Sequence, residues 1–297
     1  MNVYEIIPEK IITQLESGVA PWRKPWRCDA PMNLVSGKEY RGVNPFLLAP
    51  TGYGSRYWLT FNQANKLGGH IRKGEKSSIV TFWNIGPEKT RTTAEGVTKT
   101  SKPILLRYFN VFNLEQTEGI ADKLGIGKFS PRAADIAQCE SIVSSMKNPP
   151  SFAQHIQASY RPSTDTVSMP SKTAFESIEH YYSTLFHEMT HSTGHASRIG
   201  RPGIEEVSPF GTETYSKEEL IAELGAAMLC GITGIAPMTL DTSAAYLKSW
   251  IEVLKGDSKL IVQAASAAQK AADYIRNVTV KPQENTTEVC EESEVTF

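Results

Sequence analysis

The sequence predicts an α+β protein in two domains, and three observations carry that expectation. In the first 128 residues, short alternating runs such as residues 78–83 and 104–111 have the period-two pattern of an antiparallel sheet. Later in the chain, Ile178, Tyr181, Tyr182, Leu185, Phe186 and Met189 recur at spacings of three and four, the stripe of a helix packed on a core. Between these regions, residues 119–130 hold three glycines and are followed by a proline, the composition of a connection. The expected division is a small sheet-bearing domain over residues 1–128, a more helical one over 129–278, and a tail over 279–297.

The elements follow in order. An amphipathic helix opens the chain over residues 4–15 and stops near Gly18. Arg72-Lys73-Gly74-Glu75-Lys76 reads as a hairpin turn that presents cations, with Gly74 allowing positive φ. Residues 87–102, rich in Thr, Lys and Gly, read as a long hairpin loop between the two alternating strands. The second half starts with a helix over 132–146. Residues 152–160 and 165–169 then form a hairpin ended by Pro170. The second of these strands is expected at a sheet edge, open to backbone pairing with another chain. Thr173 with Glu176, or Ser177, caps the central helix, and Gly194 ends it. Helices over 218–227, 243–255 and 257–276 complete the domain. After Lys281, five glutamates mark an acidic, disordered tail.

Charge separates the halves. The net charge of −1 hides 18 Lys+Arg against 11 Asp+Glu in residues 1–128, a balance of +7, and 13 against 21 in the rest, a balance of −8. A basic half joined to an acidic one implies that only the first faces a polyanion. Four of the five tryptophans lie in the basic half, interleaved with cations. Single-strand binders use that mixture, cations for phosphates and flat rings for bases. The expected DNA-binding residues are Trp22, Arg23, Lys24, Trp26, Arg27, Arg56, Tyr57, Trp58, Arg72, Lys73 and Lys76. Cys28, Cys139, Cys230 and Cys290 form no CxxC pair and fit reduced thiols. With no signal peptide and no membrane-length apolar run, a cytoplasmic protein without a membrane partner is expected.

The chemistry concentrates in His187-Glu188-Met189-Thr190-His191. Positions four apart share a helix face, so both imidazoles can hold one divalent ion while Glu188 serves as base toward water. A catalytic site needs a third protein ligand. The metzincin pattern HExxHxxGxxH fails, because Ser197 stands where its third histidine belongs. The segment Glu219 to Glu223 resembles the gluzincin ExxxD pattern, which favours Glu219 as metal ligand. Glu223 then hydrogen-bonds a ligand histidine. Alternatively Ser216 and Glu219 form a capping box and Glu223 is the ligand. His195, Tyr215 and Arg198 are candidates for stabilising an oxyanion.

The surrounding motifs resemble one family. Phe175-Glu176-Ser177-Ile178-Glu179-His180-Tyr181-Tyr182, the run from Leu185 to His195, Arg198 and the block from Tyr215 to Ala227 are similar to the zincin-type domain of ArdC-type antirestriction proteins of conjugative plasmids. The first half adds Pro21-Trp22-Arg23-Lys24-Pro25-Trp26, Tyr40-Arg41-Gly42-Val43-Asn44, Trp58-Leu59-Thr60, the run Gly68 to Lys76, and Val111-Phe112-Asn113. These resemble that family's N-terminal single-stranded-DNA-binding domain, a region that plasmid primases also carry. The metallopeptidase part is similar to Spartan-like proteases, which attack proteins attached to DNA. The resemblance implies a zincin-like fold, a Zn2+ cofactor (or another divalent ion such as Mn2+), single-stranded DNA as partner, and a host restriction enzyme or other DNA-bound protein as substrate. It implies protection of incoming conjugated DNA. The alternatives are a pure strand-coating protector with an idle or structural metal site, and a protease acting on DNA-bound proteins.

Overall fold

The computed structural model describes residues 2–23, 30–85, 89–92, 98–101, 104–127, 134–205, 213–235 and 244–279. Helix α1 (Val3–Glu16) is closed at its start by a capping box of Asn2 and Glu5, and buries Ile7, Ile11 and Leu15 at every fourth position. There follow β1 (Met32–Asn33), α2 (Asn44–Leu48), β2 (Tyr57–Leu59), α3 (Phe61–Lys66), β3 (His70–Ile71), β4 (Ser78–Ile85), β5 (Lys89–Thr92), β6 (Thr98–Ser101), β7 (Ile104–Asn113) and β8 (Thr117–Glu118). One sheet has the order β1-β2-β7-β4, with β1 parallel to β2 and the other pairs antiparallel. Buried Asn44 ties α2 to this sheet: its carboxamide donates to the Thr81 carbonyl at 2.8 Å and accepts from the Thr81 N–H at 2.6 Å. The side chain thus satisfies backbone groups of Thr81 on the edge strand β4.

Three expectations for this half change. Residues 87–102 are not all loop, since β5 and β6 pair antiparallel within them. The turn at Gly74 (φ +88°) does not join a hairpin, because β3 pairs with β8 rather than with β4. The stretch read as a linker is partly folded. Ile120 is buried with Leu59, Ala64 and Leu114, so the apolar residues among the glycines anchor the segment.

The second half contains α4 (Ile136–Ser145), β9 (Ser151–Gln154), β10 (Ser159–Arg161), β11 (Thr166–Met169), α5 (Ile178–Ser192), α6 (Pro202–Glu205), α7 (Glu213–Thr233), α8 (Ala244–Gly256) and α9 (Leu260–Ile275). The expected hairpin is a three-stranded sheet of order β10-β11-β9. β9 runs parallel to β11, and β10 runs antiparallel to it. Residues 165–169 are therefore central, and β10 takes the edge. A clamp holds that edge. The fully buried Arg198 guanidinium donates to Asp165, to the Tyr160 hydroxyl at 3.3 Å and to the Ser192 carbonyl at 2.7 Å. Its hydrogen bonds outweigh burial and hold the Asp165 carboxyl below the ordinary range.

The helices set the site. Ser177 caps α5 by accepting from the His180 N–H at 3.2 Å, which decides between the two caps considered. α5 and α7 touch at Gly225, where an added Cβ would sit 2.6 Å from Thr190 Cγ2. A glycine is required for that close approach. α9 backs α7 with a face of small residues, Ala264, Ala265, Ala268 and Ala272.

The largest core draws residues from both halves of the chain. Ile7, Ile11 and Leu15 of α1, Trp22, and Phe46 and Leu47 of α2 share one cluster with α5, α7, α8 and α9. No helix among the described residues is long and apolar enough to cross a membrane. The acidic tail beyond residue 279 lies outside the described residues.

Candidate metal centre

His187 and His191 stand one turn apart on α5, both nearly buried, with their Nε2 atoms 3.1 Å apart. From α7, Glu219 brings Oε2 to 3.5 Å from His187 Nε2 and Oε1 to 3.6 Å from His191 Nε2. Among the described residues these three form the one cluster able to hold a metal ion. The spacing fits one. Ligands about 2.0–2.1 Å from a tetrahedral ion lie roughly 3.3 Å from one another, and the three observed separations bracket that value. Two ring nitrogens facing each other can share at most one proton, whereas a cation satisfies both lone pairs and the carboxylate together.

Further groups orient this set. Glu218 Oε1 lies 3.3 Å from His191 Nδ1, as a carboxylate that fixes a ligand imidazole does. Arg201 holds Glu218 in turn through two contacts, Nε to Oε2 at 2.8 Å and Nη2 to Oε1 at 2.5 Å. The guanidinium also donates to Thr193 Oγ1 at 2.6 Å and to the Thr190 carbonyl at 2.8 Å. Burial alone would raise the Glu218 carboxyl, but the hydrogen bonds and charges of Arg201 and His191 bring it below the usual range. Burial also disfavours the charged form of His191. The Glu218 contact and the charges of Glu219, Glu218 and Glu188 outweigh it, so that imidazole is pushed up. Glu219 is lowered despite burial, by His187, His191 and the Tyr215 hydroxyl. His187 Nδ1 is buried with no partner among the described residues.

The donor set faces a cleft of about 620 Å³. Glu188, half-buried, lines it one residue from His187, with Tyr215, His180 and the edge strand β10 on its walls. The Tyr215 phenol is pushed up to about 12, by burial first and then by the charge of Glu219. Of the three oxyanion candidates, Arg198 is bound within its clamp and His195 pairs with Ser197 Oγ at 2.8 Å. Only Tyr215 lines the cleft.

Glu223 is elsewhere. Its carboxylate accepts from Trp22 Nε1 at 2.6 Å and from the Tyr246 hydroxyl, and it is not one of the three clustered donors. The contact expected of it is made by Glu218. The capping-box alternative falls too, because α7 begins at Glu213 and leaves Ser216 inside the helix. Glu218 and Arg201 were not singled out by the sequence reading. Glu218 could have been, as the neighbour of a ligand carboxylate, whereas Arg201 carries no spacing signal.

The expected DNA-binding residues divide. Trp22 is 2% exposed and packs edge-on against Trp250; Trp58 is 3% exposed and packs against Tyr53. Both are core side chains, because each ring fills a cavity and the indole N–H of Trp22 has a buried acceptor. Arg56 is bonded to the Ala30 carbonyl and Glu39, and the exposed Arg72 pairs with Glu75 at the surface. Tyr57 is half-buried against a small apolar cluster. Lys73 and Lys76 are exposed. Arg23 belongs to a short helical turn after α1, and Lys24, Trp26 and Arg27 lie outside the described residues.

Comparison with known proteins agrees with this geometry. Residues 137–267 match a family described as zincin-like metallopeptidase, and residues 1–112 match the N-terminal domain of anti-restriction factor ArdC. The metal-free crystal structure of the antirestriction ArdC protein from the R388 plasmid is similar with a TM-score of 0.74 and 36% identity, covering 94% of this chain and 100% of that one. Its Mn(II)-bound structure is similar with a TM-score of 0.72 and 35% identity, covering 93% and 98%. A DNA primase TraC of Escherichia coli is 33% identical over 308 residues, which is 96% of this chain and 28% of the primase. This chain therefore spans a little over a quarter of that longer relative.

Proposed function

The chain belongs to the ArdC antirestriction family, and from that premise we propose that it hydrolyses peptide bonds at its metal centre while its basic half holds single-stranded DNA. The observation that carries the peptidase reading is Glu188, a carboxylate on the cleft wall beside a set of two imidazoles and one carboxylate. A purely structural metal site has no use for a base there.

His187, His191 and Glu219 would hold the ion, and two nitrogens, one oxygen and an open side suit Zn2+ or Mn2+. A divalent ion bound there supplies Lewis acidity, making water more acidic and a carbonyl more electrophilic. Glu188 takes a proton from the attacking water as its oxygen bonds to the scissile carbonyl carbon. It returns that proton to the leaving amine as the C–N bond breaks. Tyr215, on the cleft wall, donates its hydroxyl hydrogen toward the oxygen that gains charge. Glu218 and Arg201 hold His191 in orientation. The edge of β10 offers backbone groups to an extended substrate.

Single-stranded DNA would supply proximity, since tethering enzyme and target on one strand raises their effective concentration to the millimolar range. The biological reading is protection of DNA entering a new host against its restriction enzymes. The test incubates the purified protein and a divalent ion with an unfolded DNA-binding protein, with and without single-stranded oligonucleotide. Metal-dependent cleavage that accelerates when both proteins share a strand is expected. An absence of cleavage in every combination, with strand binding retained, would overturn the peptidase reading in favour of strand coating.

A further inference from the structure

Two large rings of the basic half stand open on its longest strand pair. Trp83 on β4 is 48% exposed and Tyr108 on β7 is 44% exposed. The register pairs Trp83 with Leu106 and Thr81 with Tyr108, so the two rings lie on one face of the pair as diagonal neighbours. Diagonal positions are about 7–8 Å apart, within reach of one another for large side chains. The same face buries Ile79 and Thr81 beside them, so the rings project from a backbone that the core holds rigid. The opposite face, with Val80, Phe82, Phe109 and Val111, builds a separate apolar cluster. Neither Trp83 nor Tyr108 belongs to a core cluster of the described residues.

Charge identifies the occupant. Residues 78–113 carry five Lys+Arg against two Asp+Glu. Arg107, opposite Phe82, is exposed on the other face of the pair, and the sequence of the β5–β6 ribbon between the two strands includes Lys89, Arg91 and Lys99. Two adjacent open rings in a segment of net positive charge suit a polyanion whose flat apolar faces are accessible. Single-stranded nucleic acid has such faces, whereas a duplex keeps its bases stacked inside. Aromatic residues on sheet strands stack two or three bases in a common RNA-binding fold by the same geometry. We infer that Trp83 and Tyr108 form the stacking platform for the bases of single-stranded DNA. This deepens the proposed function and rests on its strand-binding part. The platform replaces Trp22 and Trp58, whose rings are used in the core.

The experiment measures binding of a fluorescent oligothymidylate by anisotropy at fixed salt, with a duplex as competitor. The intact 297-residue chain is used, and folding of each variant is checked by circular dichroism. Trp83→Ala and Tyr108→Ala should each weaken binding roughly 5- to 150-fold, the range of one lost base stack. Trp83→Phe should retain most of the affinity and Trp83→Leu should not, because a stack needs a ring rather than apolar bulk. The salt dependence should keep its slope, since no phosphate contact is removed. Phe61→Ala, which removes an exposed ring on α3, should bind like the parent. A Trp83→Ala/Tyr108→Ala protein binding within twofold of a parent that prefers single strands would overturn the platform alone. A parent with no preference for single over double strands would overturn the strand-binding reading and the platform together.

Discussion

Replacing Glu188 with Gln should lower peptide hydrolysis by about 10²- to 10⁴-fold, the range that a positioned general base contributes. Metal content and single-strand affinity should stay at the parent level. The substitution keeps the shape of the side chain and removes only its capacity to take a proton. Glu188 is not among the three donors at the centre, so the ion should remain, and it lies in the half of the chain that does not carry the cationic surface. The loss should appear in kcat with KM little changed, since the group acts on water rather than on the peptide. Steady-state cleavage beside metal analysis separates these effects. Activity within threefold of the parent would remove Glu188 from the mechanism. A stably folded Glu188→Gln protein that still shields incoming DNA from restriction would show that protection does not need cleavage.

Arg201→Met should cost about 3–5 kcal/mol of unfolding free energy, because it leaves the Glu218 carboxylate buried without its cation. The same change frees Glu218 from the position in which it meets His191. Metal affinity should fall about 10- to 100-fold, the usual effect of losing a group that orients a ligand. A second substitution separates the two consequences. In Arg201→Met/Glu218→Leu, apolar side chains replace the whole pair, which is often neutral for stability. The double variant should recover most of the lost unfolding free energy in urea melts and none of the lost metal affinity. A single variant as stable as the parent would mean that Arg201 and Glu218 are not buried against each other.

The central helix is legible in the sequence because its two signals are local. An apolar stripe at spacings of three and four defines the buried side of α5, and the same periodicity places His187 and His191 together on the cleft side. The choice between Glu219 and Glu223 is not local. The two positions share a helix face, and only Trp22, arriving from 201 residues away, shows that Glu223 belongs to a buried contact with the opening segment. Long-range packing likewise hides the fate of the aromatic rings. Trp22 precedes Arg23 and Trp58 lies two residues after Arg56, whereas Trp83 has no cation so near in sequence, yet the first two are buried and Trp83 is open. Alternation within a strand tells which residues share a face, but not which part of that face another element covers. The strand over residues 165–169 illustrates the same limit. Its pattern identifies a strand, while its central position depends on β9, which returns parallel to it through the whole β10 excursion. The extent of the opening helix follows its pattern closely. Its partners in α8 and α9, more than 200 residues later, do not.

The most direct test of the central claim is the stoichiometry of bound divalent ion, measured by elemental analysis after equilibration with Zn2+ or Mn2+ and desalting. The parent and Glu223→Gln should each retain about one ion per chain, while His187→Ala, His191→Ala and Glu219→Ala should retain almost none. Equal retention by the parent and the three ligand variants, or loss in Glu223→Gln with retention in Glu219→Ala, would contradict the centre described above.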